Sequence, residues 1–301
     1  MREQGYKIHV FMCPALFTAG SAVITLPFCR RSDFLPVFLS AALLGLLFAA
    51  AVTPLLNYTF NNKSYKNKAL KNIFLYAVSL ITVSAAIYGA VSAALDYIAF
   101  LNEVQLPRTG KVLVTAAVLL LTLMFIISRT SAVLKYGLFM AVLSVLTVIM
   151  IFTLSAGMFD IKRVDFDLKL TNGGISAVCG CFFKYFFVTA VPIAFVAITK
   201  QKAKVLKVTG AVFCGILIIS LCMLQSVFVL GNAVQTYQYP YVTAVSAFSW
   251  GSLFTRLDGL VYLFFFACVT VRISICVKTV LLIIKFILDN AAGIKIAKNR
   301  R

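Results

Sequence analysis

The chain has 301 residues, 62% of them hydrophobic and 12% charged, with a mean hydropathy of +1.00. No soluble globular domain has this composition, and the apolar runs lack the period-2 alternation of a membrane barrel, so an all-α polytopic membrane protein is predicted. The net charge of +19 sits mainly in short loops between apolar runs, which reads as orientation in a bilayer and not as nucleic-acid binding. Contact with anionic lipid headgroups is a further role open to those cations.

Taken in chain order, the apolar runs predict eight spans, at about 8–28, 34–56, 73–101, 111–128, 131–156, 175–199, 206–231 and 257–288. Each is near or above the roughly 20 residues that cross a bilayer. The first is too long for a signal peptide and lacks a clear cleavage site. Its centre has the wrong composition for a plain lipid anchor. Thr18, Ala19, Gly20, Ser21 and Ala22 gather small or hydroxylated side chains about halfway across, and Pro27 ends the run. Such a break at mid-membrane depth either lets a neighbouring helix pack closely or frees backbone groups for a ligand.

The third and eighth spans approach 30 residues and are expected to tilt or to extend beyond the bilayer. The sixth carries its own breakers, Gly173, Gly174, Gly180 and Pro192. An interrupted span thus opens each set, and a long span lies two places later. That is the spacing of a five-helix inverted repeat, in which span one matches six and span three matches eight. A full repeat pair needs ten spans, so the second repeat is predicted to lack its last two. The segment 232–256 is mixed and aromatic, which suits short amphipathic helices over the outer face.

With the N-terminus inside, the inner segments hold 17 Lys and Arg and the outer ones 8, with Lys184, Arg272 and Lys278 left inside spans. The positive-inside rule therefore places both termini in the cytoplasm. Asp160, Asp165 and Asp167 then fall in an outer loop. The eight cysteines lie in or beside apolar spans without a CxxC pair, and His9 is the one histidine. The cysteines read as small membrane-embedded residues, with no disulfide framework, no metal site and no cofactor. No hydrolytic or redox constellation is present, which argues against an enzyme.

The stretch from Tyr239 to Ser274 resembles the spore-germination B-subunit family (GerAB), within the amino acid–polyamine–organocation superfamily. The resemblance rests on Tyr239-Pro240, on Arg256-Leu257-Asp258 opening a long aromatic-rich helix, and on Arg272 ahead of Ser274. The first span with its Leu26-Pro27, and the Pro192 helix followed by the Lys200–Lys207 loop, are similar too. It extends over about residues 5–288. Two departures stand out: the family continues through two more helices, and lysine is more usual at the position of Arg272. The resemblance implies a LeuT-like fold of 5+5 inverted repeats, here truncated to about eight transmembrane helices. It also implies an inner (cytoplasmic) membrane subunit that senses a nutrient, typically an amino acid, beside A-type and C-type partner subunits. Descent from permeases implies binding without productive transport.

Individual residues carry two readings each. Lys184 lies about ten residues into span six, near the midplane, and Arg272 about fifteen into span eight. A cation there costs about 2.5–3.5 kcal/mol on insertion scales. Either one faces a cavity and attracts a ligand carboxylate, or each contacts backbone carbonyls or snorkels to an interface. Lys278, nearer the cytoplasm, is expected to snorkel. Thr18, Gly20, Ser21 and Ala22 are the ligand-binding candidates of span one, with Tyr185 and Thr189 of span six. Tyr88 of span three either closes that pocket or packs. Asp96 either relays a proton or pairs with a cation. Arg256 and Asp258 stand at the mouth of span eight, where Asp258 suits the helix dipole. A proton-coupled amino acid permease, or a truncated family member that no longer senses, are the alternatives to a germinant sensor.

Overall fold

Inside a bilayer every backbone N–H and C=O must find a partner within the protein, and long apolar runs meet that demand as helices. The computed structural model describes residues 17–20, 22–26, 33–61, 68–105, 111–159, 173–199, 204–247 and 258–291, and among them there is no strand. The helices are α1 (Ala22–Thr25), α2 (Phe34–Asn61), α3 (Lys68–Phe100), α4 (Lys111–Ile127), α5 (Thr130–Ser155), α6 (Gly174–Cys181), α7 (Ala190–Ile198), α8 (Val205–Leu230), α9 (Pro240–Ser246) and α10 (Asp258–Ala291). Among the described residues, six stretches are long and apolar enough to cross a membrane: Phe34–Phe60, Ile73–Val104, Thr130–Met158, Gly174–Ile198, Val205–Thr236 and Gly259–Leu288. The chain is an integral membrane protein. Helix α4 is a shorter apolar helix among them.

Several threonines within the spans are satisfied locally. Thr53, Thr82, Thr147 and Thr279 each donate to the carbonyl four residues back, at 2.6 to 2.8 Å. Pro54 inside α2 has no N–H to give the carbonyl of Ala50, and the Thr53 hydroxyl bonds the preceding carbonyl, that of Ala49. Between helices, Gln225 of α8 donates to the Ser155 hydroxyl of α5 at 2.8 Å, a polar link inside an apolar layer.

The helices form two layers by burial. In its most apolar stretch α10 is 72% buried and the α6–α7 span 67%, against 33% for α2 and for α5. Helix α10 is therefore central, packing against α3, α5, α7 and α4, while α2 packs along α6, α7 and α8. Gly45 sets the closeness of α2 to the broken span, since a Cβ there would come within 2.7 Å of the Phe186 ring. The short helix α1 meets α3, α8 and α9.

One expectation needs correction here. Lys278 does not snorkel: it is buried, and its Nζ donates to the carbonyl of Ile126 at 2.9 Å and to that of Ser128. The C-terminal carbonyls of α4 have no partner within their own helix, so an internal cation is a better destination than lipid. The predicted amphipathic segment after α8 begins with a 3₁₀ turn, Gly231–Thr236, and then α9, whose Pro240, Tyr241, Val242, Ala244 and Val245 are buried against the body. The rest of that segment, with Arg256, lies outside the described residues.

Candidate functional site

Two interruptions, one in the first span and one in the sixth, meet at a single side chain. In the first span Phe17–Ala19 are helical, Gly20 turns at φ +31°, and α1 then runs to Thr25 before Leu26 at φ +36°. Leu26 pays the steric cost of the left-handed region that Gly20 avoids, of order 1 kcal/mol. Its N–H still closes onto the Ala22 carbonyl at 3.0 Å. Phe17, Thr18, Ala19 and Ala22 are all buried. Ser21, a candidate from the sequence, lies outside the described residues, and so does the side chain of Asp258 at the start of α10.

In the sixth span α6 gives way to a π turn, Phe182–Phe186, then a 3₁₀ turn, Phe187–Thr189, before α7 resumes. The winding loosens and then tightens within eight residues, between the breakers Gly180 and Pro192. Pro192, in the first turn of α7, cannot donate to the carbonyl that a regular helix would offer it. Such changes of winding leave backbone carbonyls off the regular ladder.

Arg272 of α10 reaches both interruptions and is fully buried. Its Nη2 donates to the Lys184 carbonyl in the π turn at 3.3 Å. Its guanidinium stands 5.4 Å from the Phe17 ring centroid, a cation–π contact beside the first break. It fits only because residue 20 is glycine: a Cβ there would lie 2.7 Å from both Cδ and Nη1 of Arg272. The side chain that a sequence reading offers as a ligand cation is thus held as an internal cation for the Lys184 backbone carbonyl. It fills the space between the two breaks.

Lys184 points elsewhere. Its Nζ lies 3.4 Å from Asp96 Oδ1 of α3 and 5.2 Å from the Tyr185 ring centroid, with 36% of its side chain exposed against 18% for Asp96. Of the two readings of Asp96, pairing with a cation is therefore realised in the geometry. Tyr185 is buried. Thr189 is buried as well, and its hydroxyl donates to the Phe186 carbonyl at 2.6 Å, so it steadies the 3₁₀ turn.

Tyr88 is placed differently from the expectation that it closes a pocket between the breaks. It is 48% exposed and lines an outward groove of about 440 Å³ with Leu80, Ile81, Ser84, Ala85, Phe183 and Phe187. The structure therefore brings Gly20, Phe17 and the Lys184 carbonyl to Arg272, while Thr18, Ala22, Tyr185 and Thr189 are buried. Lys184 and Tyr88 are partly exposed, and Asp96, 18% exposed, has its Oδ2 buried. Sequence reasoning missed Phe17 and the Lys184 carbonyl as the partners of Arg272. An aromatic ring three residues before the small-residue break was the one signal available for Phe17.

At the C-terminal end of α3 lies an aromatic cluster. Phe100 of α3 lies within 5.1 to 5.6 Å of the rings of Tyr239, Tyr262 and Phe265. Glu103 accepts hydrogen bonds from the Tyr239 hydroxyl at 2.7 Å and from Gln238 at 2.6 Å, which ties α3 to the start of α9.

The class that fold and site define, among the described residues, is an all-helical integral membrane protein in which a buried arginine joins the break at Gly20 to the interrupted span Gly174–Ile198. Compared with known proteins, the chain matches no protein-family model and no curated protein.

Proposed function

We propose that the chain is a LeuT-like nutrient sensor, the B-type subunit of a spore germinant receptor in the inner membrane, working with A-type and C-type subunits. The observation that carries this reading is Arg272 spanning both helix interruptions. Interrupted helices near the midplane are where secondary transporters and their relatives bind ligands, with half-helix N–H groups and a cation serving a carboxylate. In this reading the carboxylate of an amino-acid-like ligand takes the hydrogen bond that Arg272 Nη2 now gives to the Lys184 carbonyl. The N–H groups following Gly20 supply the remaining donors. Releasing the Lys184 carbonyl loosens the π turn, and that change is passed to partner subunits.

A thermal-stability screen of the purified chain across the common amino acids tests this, because a ligand that binds the native state raises the melting temperature by mass action. The expected result is a rise for one or two amino acids, lost in Arg272→Met and kept in Lys184→Met. No rise for any amino acid, from a wild-type sample that melts cooperatively, overturns ligand binding by this chain and favours a family member that no longer senses.

The Lys184–Asp96 pair favours one other reading, a proton-coupled amino acid permease, since paired ionisable groups inside spans are the parts of a proton relay. Substrate-dependent uptake into proteoliposomes holding only this chain, abolished by Asp96→Asn, would establish it instead.

A further inference from the structure

The corner between α4 and α5 gathers positive charge that no described carboxylate meets. Arg129 forms the corner and is exposed. Lys135, six residues on, is exposed on the same side of α5 as Ala132 and Phe139. Behind them Lys278 is buried, with its ammonium on the carbonyls of Ile126 and Ser128. Lys285, also exposed, follows Lys278 by two turns on the same face of α10, so it stands about 10 Å past the corner.

Among the described residues Lys184–Asp96 is the one ion pair, so Arg129, Lys135 and Lys285 have no carboxylate. The described acidic side chains lie elsewhere. Asp33 precedes α2, whose far end meets α10 through Phe60 and Phe286. Asp96 and Glu103 lie toward the end of α3, where Phe100 meets Tyr262 near the start of α10. The start of α5 adds to the positive field at the corner. No side chain caps it, so the N–H groups of Thr130 and Ser131 remain as donors at the positive end of the helix. Beside these cations the surface is apolar, with Met124 and Ile127 of α4 and Phe139 of α5 exposed. Helix α4 spans 17 residues, about 25 Å, and ends here, so the corner stands at an edge of the hydrocarbon core. Lipid phosphates lie at that level.

We propose that this corner binds an anionic phospholipid, its phosphate held by Arg129, Lys135 and the N–H groups that open α5. Arg129 offers a planar fork to two phosphate oxygens. Lys135 starts deeper in the span and reaches back to the same level along its apolar stem. Lys285 adds charge from beyond the corner, and the acyl chains lie along Met124, Ile127 and Phe139. A zwitterionic lipid brings its own cation and leaves this charge unbalanced, so an anionic headgroup is preferred. A lipid fits better than an acidic peptide, whose backbone groups would go unpaired against the apolar surface. The site stands on the corner alone and holds whether or not the chain senses a germinant.

The test titrates the full chain, in a nonionic detergent, with dioleoylphosphatidylglycerol or dioleoylphosphatidylcholine and counts bound lipid by native mass spectrometry. Phosphatidylglycerol is expected to bind at least about tenfold more tightly, and Arg129→Gln/Lys135→Gln to lose about fivefold per cation removed, the weight of one Lys or Arg at an anionic surface. Both side chains are exposed, so the lipid-free variant should melt with the wild type. The control is Lys204→Gln/Lys207→Gln, which removes equal charge from the same membrane face. Gln225 of α8 meets Ser155 of α5, so the two helices run parallel and begin on one side. The control should keep the preference for phosphatidylglycerol. Amide exchange at residues 128–134 should slow with phosphatidylglycerol and not with phosphatidylcholine. Equal binding of the two lipids would overturn the proposal, and so would an equal loss in the control, which would make the preference a property of the whole charged face. Displacement of phosphatidylglycerol by hexaglutamate at equal concentration would overturn it too, making an acidic segment of a partner the occupant.

Discussion

Arg272 and Gly20 compete for one volume, and the glycine yields: a Cβ on residue 20 would stand 2.7 Å from Arg272 Cδ and Nη1 and 2.8 Å from the Phe17 carbonyl oxygen. The backbone at Gly20 also turns at φ +31°, which an L side chain rarely adopts. Gly20→Ala is therefore expected to lower stability by about 1–3 kcal/mol, through overpacking and backbone strain together. Reversible unfolding in detergent measures it. The two causes separate in an Arg272→Ala background, where the steric part should disappear and a smaller loss remain. An undiminished loss there would assign the whole effect to the backbone.

Removing the cation leaves the Lys184 carbonyl, in an already irregular turn, without its donor. Arg272→Met is expected to cost about 1–3 kcal/mol for the unpaired buried carbonyl, more than a loss of packing alone predicts. Amide exchange should speed up at residues 182–190 and leave α8 unchanged. Arg272→Lys should recover only part of the stability, because an ammonium cannot reproduce the planar fork that rests on Phe17 and reaches the carbonyl. Full recovery by lysine would mean that charge alone, without the fork geometry, holds the two breaks together.

Much of the fold was legible in the sequence because the bilayer enforces it. A run such as 34–56 has no alternative to a helix, and α2 differs from that reading chiefly by continuing to Asn61. The breaks were legible for the same reason: Gly20, Gly180 and Pro192 weaken a ladder that nothing else there supports. What the sequence did not show is direction. Lys184 and Arg272 look alike as mid-span cations, yet one faces α3 and the outer surface and the other the interior. That difference depends on how α10 is rotated against α3 and the π turn. The two readings of Tyr88 stayed open on the same account, because an aromatic ring suits an inner pocket and an outer groove equally. Lys278 illustrates the limit from the other side: its partners, Ile126 and Ser128, are about 150 residues away in sequence.

The Lys184–Asp96 pair is long and partly exposed, so its worth is modest despite its depth. A double-mutant cycle with Lys184→Met and Asp96→Leu is expected to give a coupling energy near 0.6 kcal/mol and below about 2. Asp96→Leu alone should be the more harmful single change, because it leaves an ammonium without its carboxylate at the midplane. Thermal melting of the four proteins in the same detergent supplies the cycle. A coupling above about 3 kcal/mol would mean a tighter, fully desolvated pair than the 3.4 Å contact implies.

Lys278 fastens the corner between α4 and α5 to the central helix. Helix α4 ends at Ile127 and α5 begins at Thr130, so the carbonyls of Ile126 and Ser128 fall where no intrahelical donor follows. The ammonium satisfies both, and as a cation it also suits a helix C-terminus. Lys278→Met keeps the apolar stem but removes the donors, with an expected loss of about 1–3 kcal/mol. Amide exchange should accelerate at residues 128–134 while the α5 interior around Ser144 stays protected. Lys278→Arg should keep much of the protection, since a guanidinium can give one N–H to each carbonyl. If Lys278→Met leaves exchange at the corner unchanged, the two carbonyls are satisfied without the lysine, and its burial serves packing alone.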